Sequence, residues 1–166
     1  MVQVFTVEPN VEVFVPQALE YIKDNGGIDT EESYPYTALN EACKFDHNTI
    51  GATISDIMKI APGDEEALKR AVATVGPISV TINRATLDHG FMSYSGGIFD
   101  PSDCPGAFED LNHAVLVVGY GSENGKDYWI VKNSWGKRWG EEGYARMVRN
   151  AGNRCGIATF AFYPIV

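Results

Sequence analysis

His113, Asn133 and Trp135 are the residues whose types and spacing could do chemistry in this chain. His113 heads the apolar run Ala-Val-Leu-Val-Val (114–118), which predicts a strand buried on both faces. A histidine at the edge of such a strand is held rigidly and partly shielded from water, as a general base must be. Asn133 follows a second apolar run, residues 128–131, in the same way. An amide aimed at an imidazole would fix its ring tautomer and complete a nucleophile–base–orienter set. Trp135 could cover that hydrogen bond and strengthen it by excluding water. Each residue also has an ordinary alternative. A histidine beside an apolar strand is usually structural, Asn-Ser before Trp-Gly makes a bend, and Trp135 and Trp139 suit packing. Their combination is what points to acid–base chemistry.

Such a set needs an activated nucleophile, and none is evident. The three cysteines, Cys43, Cys104 and Cys155, are an odd number, so at least one lacks a partner within the chain. Cys43, in Glu-Ala-Cys-Lys-Phe-Asp, lacks the helix N-terminus that would lower its thiol pKa. There is no Cys-x-x-Cys spacing, and His47, His89 and His113 form no metal-ligand pattern, so neither a metal nor a cofactor is expected.

The elements that must position these residues are legible in part. Residues 2–15 alternate apolar and polar, with Pro9-Asn10 between, and predict a two-stranded hairpin. Residues 18–25 read as a short helix stopped by Gly26-Gly27, and residues 29–36 as an extended, turn-rich stretch. The best helix is 64–75, with Asp64 as cap, acids in its first turn and Gly76-Pro77 beyond its end. Strands are predicted over 52–60, 78–82, 113–119, 128–132, 143–148 and 156–163. Many strands and glycine-rich turns after one helix suggest a small barrel or an open antiparallel sheet.

Composition limits the function classes. A chain of 166 residues, 45% hydrophobic, is large enough for one ordinary core. Thirteen basic residues against 22 acidic give a net charge of −9, which argues against nucleic acid and against an anionic membrane surface. The start, Met-Val-Gln-Val-Phe-Thr-Val-Glu, has no basic region or long apolar run and does not read as a signal peptide.

Two long motifs carry a resemblance. Asn112-His113-Ala-Val-Leu-Val-Val-Gly-Tyr-Gly121 and Tyr128-Trp-Ile-Val-Lys-Asn-Ser-Trp-Gly136 resemble the papain-like cysteine peptidases, the cathepsin L branch most closely. The segments 24–36, 73–80 and 155–158 extend the likeness over about residues 18–166. The resemblance implies an α+β fold, the antiparallel β-barrel half of the papain-like fold plus a remnant of its helical half. Residues 1–17 are left unassigned, 18–49 are the helical-half remnant and crossover, and 50–166 are the barrel half. It implies that His113 is the catalytic histidine, Asn133 its orienter and Trp135 the shield that lines the primed side of the cleft. Thr81, Leu111, Asn112 and Phe160 stand where the family lines its S2 pocket. Phe160 is large for that floor, which implies a shallow pocket, and Asn112 replaces the commoner Asp. Cys104 and Cys155 match a family disulfide, and Cys43 a cysteine whose partner lies in a part with no counterpart here.

The resemblance also implies a Cys-Gly-Ser-Cys-Trp type segment with the nucleophile, an oxyanion-hole glutamine and a Gly-Gly wall, none of which these residues contain. A cysteine-type endopeptidase lineage is therefore expected, with this chain alone inactive. One alternative is a non-catalytic decoy that binds prodomains, inhibitors or peptides, and another is an interaction protein that adds the 2–15 strands to a partner. The partners implied are a peptide or protein substrate and a prodomain or cystatin-like inhibitor, with the complete protein a monomer. The setting implied is lysosomal or extracellular.

Overall fold

The computed structural model describes residues 14–84 and 90–166. The hairpin expected over 2–15 lies outside the described residues, apart from its end. There Val15 is helical, because Pro16 suits a first helical turn, where its missing N–H is not needed. The chain divides into two units, Met1–Met58 with Pro164–Val166, and Lys59–Tyr163.

In the smaller unit, helix α1 (Val15–Asp24) begins three residues before the helix read from the sequence. The Gln17 side chain accepts the Phe14 N–H at 2.9 Å and closes its first turn. Ala18, Leu19 and Ile22 form its buried stripe. Gly26 and Gly27, at φ of 80° and 150°, end it in conformations that suit glycine. Strand β1 (Ile28–Asp29) pairs antiparallel with β2 (Ile50–Ala52). The Asp29 carboxylate ties their connection by accepting from Thr49 Oγ1 (2.8 Å) and the Asp46 N–H (3.1 Å). Strand β3 (Asp56–Lys59) then leads into the larger unit. The single strand expected over 52–60 is thus two short ones.

The larger unit contains the site. Helix α2 (Glu65–Thr74) forms as its sequence dictates: Asp64 caps it by accepting the Ala67 N–H at 2.8 Å, and Gly76 (φ 122°) ends it before Pro77. Its strands are β4 (Ile78–Ile82), β5 (Ile98–Phe99), β6 (His113–Glu123), β7 (Lys126–Lys132), β8 (Tyr144–Val148) and β9 (Phe160–Ile165). They lie in the order β9-β4-β6-β7-β8-β5.

Of the two readings of the strand pattern, a small barrel or an open sheet, the open sheet holds: β3 lies beyond β9 at one edge and β5 forms the other, and these do not pair among the described residues, so it is not a closed barrel. It is not wholly antiparallel either, because β5 pairs with β8 in parallel. Strand β6 is longer than expected: Asn124 and Gly125, at φ of 52° and 77°, make the tight turn that carries its pairing with β7 to Glu123. The last strand starts four residues later than expected, after a 3₁₀ turn over Arg154–Gly156.

The core of this unit gathers Val80, Ile82, Val115, Val117, Trp129 and Val131 from the three central strands with Leu68 from α2. A buried carboxylate locks its helix to its sheet. Glu65 accepts from the Trp129 indole N–H (3.1 Å) and from the Asn150 and Asn153 backbone N–H groups (both 2.9 Å). Cys104 and Cys155 form a disulfide across 51 residues of sequence, as the resemblance implied.

Candidate active site

The strand ladder places His113. It is the first residue of β6, opposite Ile82, the last residue of β4. Val115 and Val117, two and four residues on, are buried, whereas Ala114 is exposed and Leu116 and Val118 are half-buried. The strand therefore alternates instead of being buried on both faces. His113 has the parity of the core residues, at the strand's mouth, and is half-buried.

Asn133 comes from the neighbouring strand. The ladder of β7 with β8 continues one step past Lys132, where the Asn133 N–H meets the Gly143 carbonyl at 3.0 Å. The side chain of Asn133 is buried, and its Oδ1 lies 2.9 Å from His113 Nε2. The Ser134 backbone N–H also reaches Oδ1, at 2.8 Å. A backbone N–H can only donate, so the atom facing it must be the amide oxygen, which removes the usual ambiguity about which way an asparagine points. The same oxygen then accepts from His113, so Nε2 bears the proton. In the neutral ring Nδ1 is the unprotonated nitrogen, free to take one.

Three aromatic rings surround this pair. Trp135 stacks on the imidazole, with centroids 4.7 Å apart and planes 28° from parallel. Trp139 meets Trp135 edge-on at 5.2 Å and donates its indole N–H to the Met92 carbonyl at 3.0 Å. Phe91, fully buried, lies 6.2 Å from His113, 5.9 Å from Trp135 and 4.8 Å from Trp139. The loop that carries both tryptophans is clamped by Glu141, which binds Arg146 of β8 through both oxygens (3.2 and 2.8 Å from Oε1, 3.0 Å from Oε2).

The electrostatics favour a neutral imidazole. Burial holds the pKa of His113 below its ordinary 6.5, the hydrogen bond from Nε2 to Asn133 acts in the opposite direction, and the Arg84 charge lowers it further. A neutral ring with a free Nδ1 can act as a base.

The four residues expected to line a substrate pocket are distributed as follows. Thr81 on β4 pairs with Phe160 on β9. Phe160 meets Phe108 at 5.1 Å and Phe162 at 4.6 Å, both edge-to-face. Leu111 follows the 3₁₀ turn Phe108–Asp110 and lies against Gly156, where an added Cβ would come within 2.5 Å of its side chain. Asn112 is tied down: its Oδ1 accepts the Arg84 N–H at 3.0 Å and its Nδ2 faces Asn83 Oδ1 at 3.5 Å. Cross-strand pairing thus joins Thr81 to Phe160, while Asn112 turns to the Asn83 side chain and the Arg84 backbone.

Sequence reading missed Phe91, Ser134 and Arg84. Ser134 could have been found, since Asn133 must be oriented by something and its next N–H is nearest. Phe91 gave no signal, because it sits in a 3₁₀ turn with no periodic pattern.

The sequence profile described as "Papain family cysteine protease" matches residues 13–165. The chain belongs to the papain family of cysteine proteases. Within this family it is 53% identical over 150 residues to a cathepsin L-like peptidase of Aedes aegypti, covering 90% of this chain and 43% of that one. It is 52% identical over 153 residues to digestive cysteine proteinase 1 of Homarus americanus, covering 92% and 46%. Among solved structures, digestive procathepsin L 3 of the Tenebrio molitor larval midgut superposes with a TM-score of 0.83 at 51% identity, covering 90% of this chain and 47% of that one. This papain-family chain thus spans just under half the length of the relatives it matches.

Proposed function

We propose that the chain carries the acid–base half of a cysteine-type endopeptidase site. His113 is the base that takes a thiol proton on Nδ1 and returns it to the leaving amine, Asn133 is its orienter, and Trp135 shields their hydrogen bond. The observation that carries this reading is the double acceptance at Asn133 Oδ1, from His113 Nε2 and the Ser134 N–H, which leaves Nδ1 available. Thr81, Leu111, Asn112 and Phe160 form the pocket for a peptide side chain, which the crowding of Phe160 by Phe108 and Phe162 makes shallow. The substrates are peptides or proteins, and a prodomain or a cystatin-like inhibitor would bind across the same face. The Cys104–Cys155 disulfide suits a lysosomal or extracellular setting.

These 166 residues by themselves are inactive in this reading. Cys104 and Cys155 are joined to each other, and Cys43 is exposed and lies outside any helix, without the activation a nucleophilic thiol needs. Without an oxyanion hole, a water attack promoted by His113 would forgo a further ~3–4 kcal/mol. The test is treatment with a thiol-directed epoxide probe of cysteine peptidases together with a fluorogenic peptide. The native protein should react with both, and H113A should abolish hydrolysis, while the 166-residue chain does neither. Labelling of the 166-residue chain at Cys43 with concurrent hydrolysis would sink the inactive reading, and full activity of native H113A would sink the role of His113.

A further inference from the structure

Asn133 and Trp135 do not by themselves fix the imidazole. The hydrogen bond to Asn133 holds one ring atom and the side-chain bond holds another, so the ring can still tilt about the line between them. Trp135 limits that tilt only so far as Trp135 is itself held. The centroids of His113, Trp135 and Phe91 form a triangle of 4.7, 5.9 and 6.2 Å. Phe91 is therefore not a further layer of a stack. It is a wedge seated against the imidazole and the indole together. A second triangle joins it to both tryptophans, at 4.8 Å from Trp139, with 5.2 Å between the indoles. Among the described residues, Phe91 alone sets its ring against His113, Trp135 and Trp139.

The wedge is itself held firmly. Phe91 has no exposed surface, and its ring is backed by Phe99 at 5.6 Å and Tyr94 at 6.5 Å. Its 3₁₀ turn, Phe91–Ser93, is tied to the tryptophan loop by the Trp139 indole N–H, which donates to the Met92 carbonyl. Tyr94 meets Trp139 of that loop at 5.6 Å, and its hydroxyl donates to the Gly97 carbonyl (2.6 Å) and accepts the N–H of Arg146 on β8 (3.1 Å). The segment 91–94 thus meets the His113–Trp135 stack through Phe91 and the tryptophan loop through the Trp139–Met92 hydrogen bond.

We propose that Phe91 is a positioning residue for the general base, keeping the His113 ring in the plane in which Nε2 meets Asn133 and Nδ1 stays open. This rests on the reading of His113 as a base. A flat, rigid ring is needed for it, since an aliphatic side chain fills volume but presents no stiff surface to two rings at once. Restraint of this kind matters to chemistry because a small misplacement of a catalytic group is costly in rate.

The test is NMR of the His113 ring nitrogens in the intact chain, assigned with H113N. The wild-type neutral ring should show one tautomer, protonated at Nε2. In F91L the two nitrogen shifts should converge as both tautomers populate. F99L is the control: Phe99 backs Phe91 and Tyr94, so F99L should lower thermal stability while leaving the His113 tautomer unchanged. An F91L protein with wild-type nitrogen shifts would overturn the proposal and leave Phe91 as core packing. Should F91L not fold, the wild-type protein decides, because through-space transfer between the His113 and Phe91 ring protons must then be present, and its absence overturns the proposal. Protonation of the wild-type ring at Nδ1 would instead overturn the base reading itself, so the two failures are distinguishable.

Discussion

Glu65 and His113 sit in the same unit, and both touch a tryptophan, but they are held in opposite ways. Glu65 is buried with three N–H donors on its carboxylate, which link α2, β7 and the loop before Cys155. Among the described residues His113 makes one side-chain hydrogen bond, through Nε2, and Nδ1 has no partner. Glu65 is held by three donors and suits stability, because every donor it meets would be orphaned by its loss. His113 is under-committed by the same measure, as the proposed role of exchanging a proton requires. A buried carboxyl held by three donors and a half-buried imidazole with one spare nitrogen are thus distinguishable without reference to any relative.

The region of Glu65 and the neighbouring Cys104–Cys155 disulfide should break with the largest effect. Replacing both Cys104 and Cys155 with serine should cost about 4 kcal/mol, the chain-entropy value for a loop of this length, read as a shift in the denaturant midpoint. Next comes E65A, which strands the Trp129 indole N–H and two backbone N–H groups and should cost about 3 kcal/mol. Neither change should alter which nitrogen of His113 carries the proton. If either does, the two regions are not independent and the comparison fails.

The under-committed region should respond in titration more than in stability. Burial is the main cause of the lowered His113 pKa, so W135A, which uncovers the ring, should raise it toward 6.5. N133A should do the reverse and lower it further, because the hydrogen bond to Asn133 favours the charged ring. Opposite shifts from two neighbours of one ring sharpen the comparison, and shifts of the same sign would contradict it. The sign for stability follows. A depressed folded-state pKa means the unfolded chain binds the proton more readily. The His113 contribution is therefore fully present above 6.5 and is lost as pH falls through the lower folded value. W135A should flatten that dependence, measured as midpoint against pH.

How much of this could be read from sequence depended on whether the signal was local. Helix α2 was legible because cap, first-turn acids and the Gly76-Pro77 stop lie within a few residues of it. The His113–Asn133 pair was legible as residue types and by resemblance, although its 2.9 Å hydrogen bond depends on β6 and β7 being neighbours. The full length of β6 follows from Asn124-Gly125, a strong local hairpin signal that the apolar run of 113–119 does not include. Val15 is helical although it ends the apolar alternation of 2–15, because Pro16 beside it suits a first helical turn. Phe91 and Glu65 were out of reach. Phe91 meets His113 22 positions on, and Glu65 meets Asn153 88 positions on, so no local pattern marks either.

The central claim is that His113 is a base with Nδ1 free. Its most direct test is the pH titration of the ring nitrogens of His113 in the wild-type chain, observed by NMR. The account predicts a neutral ring protonated at Nε2 that takes its second proton, on Nδ1, only at a pH below 6.5. A neutral ring protonated at Nδ1, or a midpoint above 6.5, would contradict it.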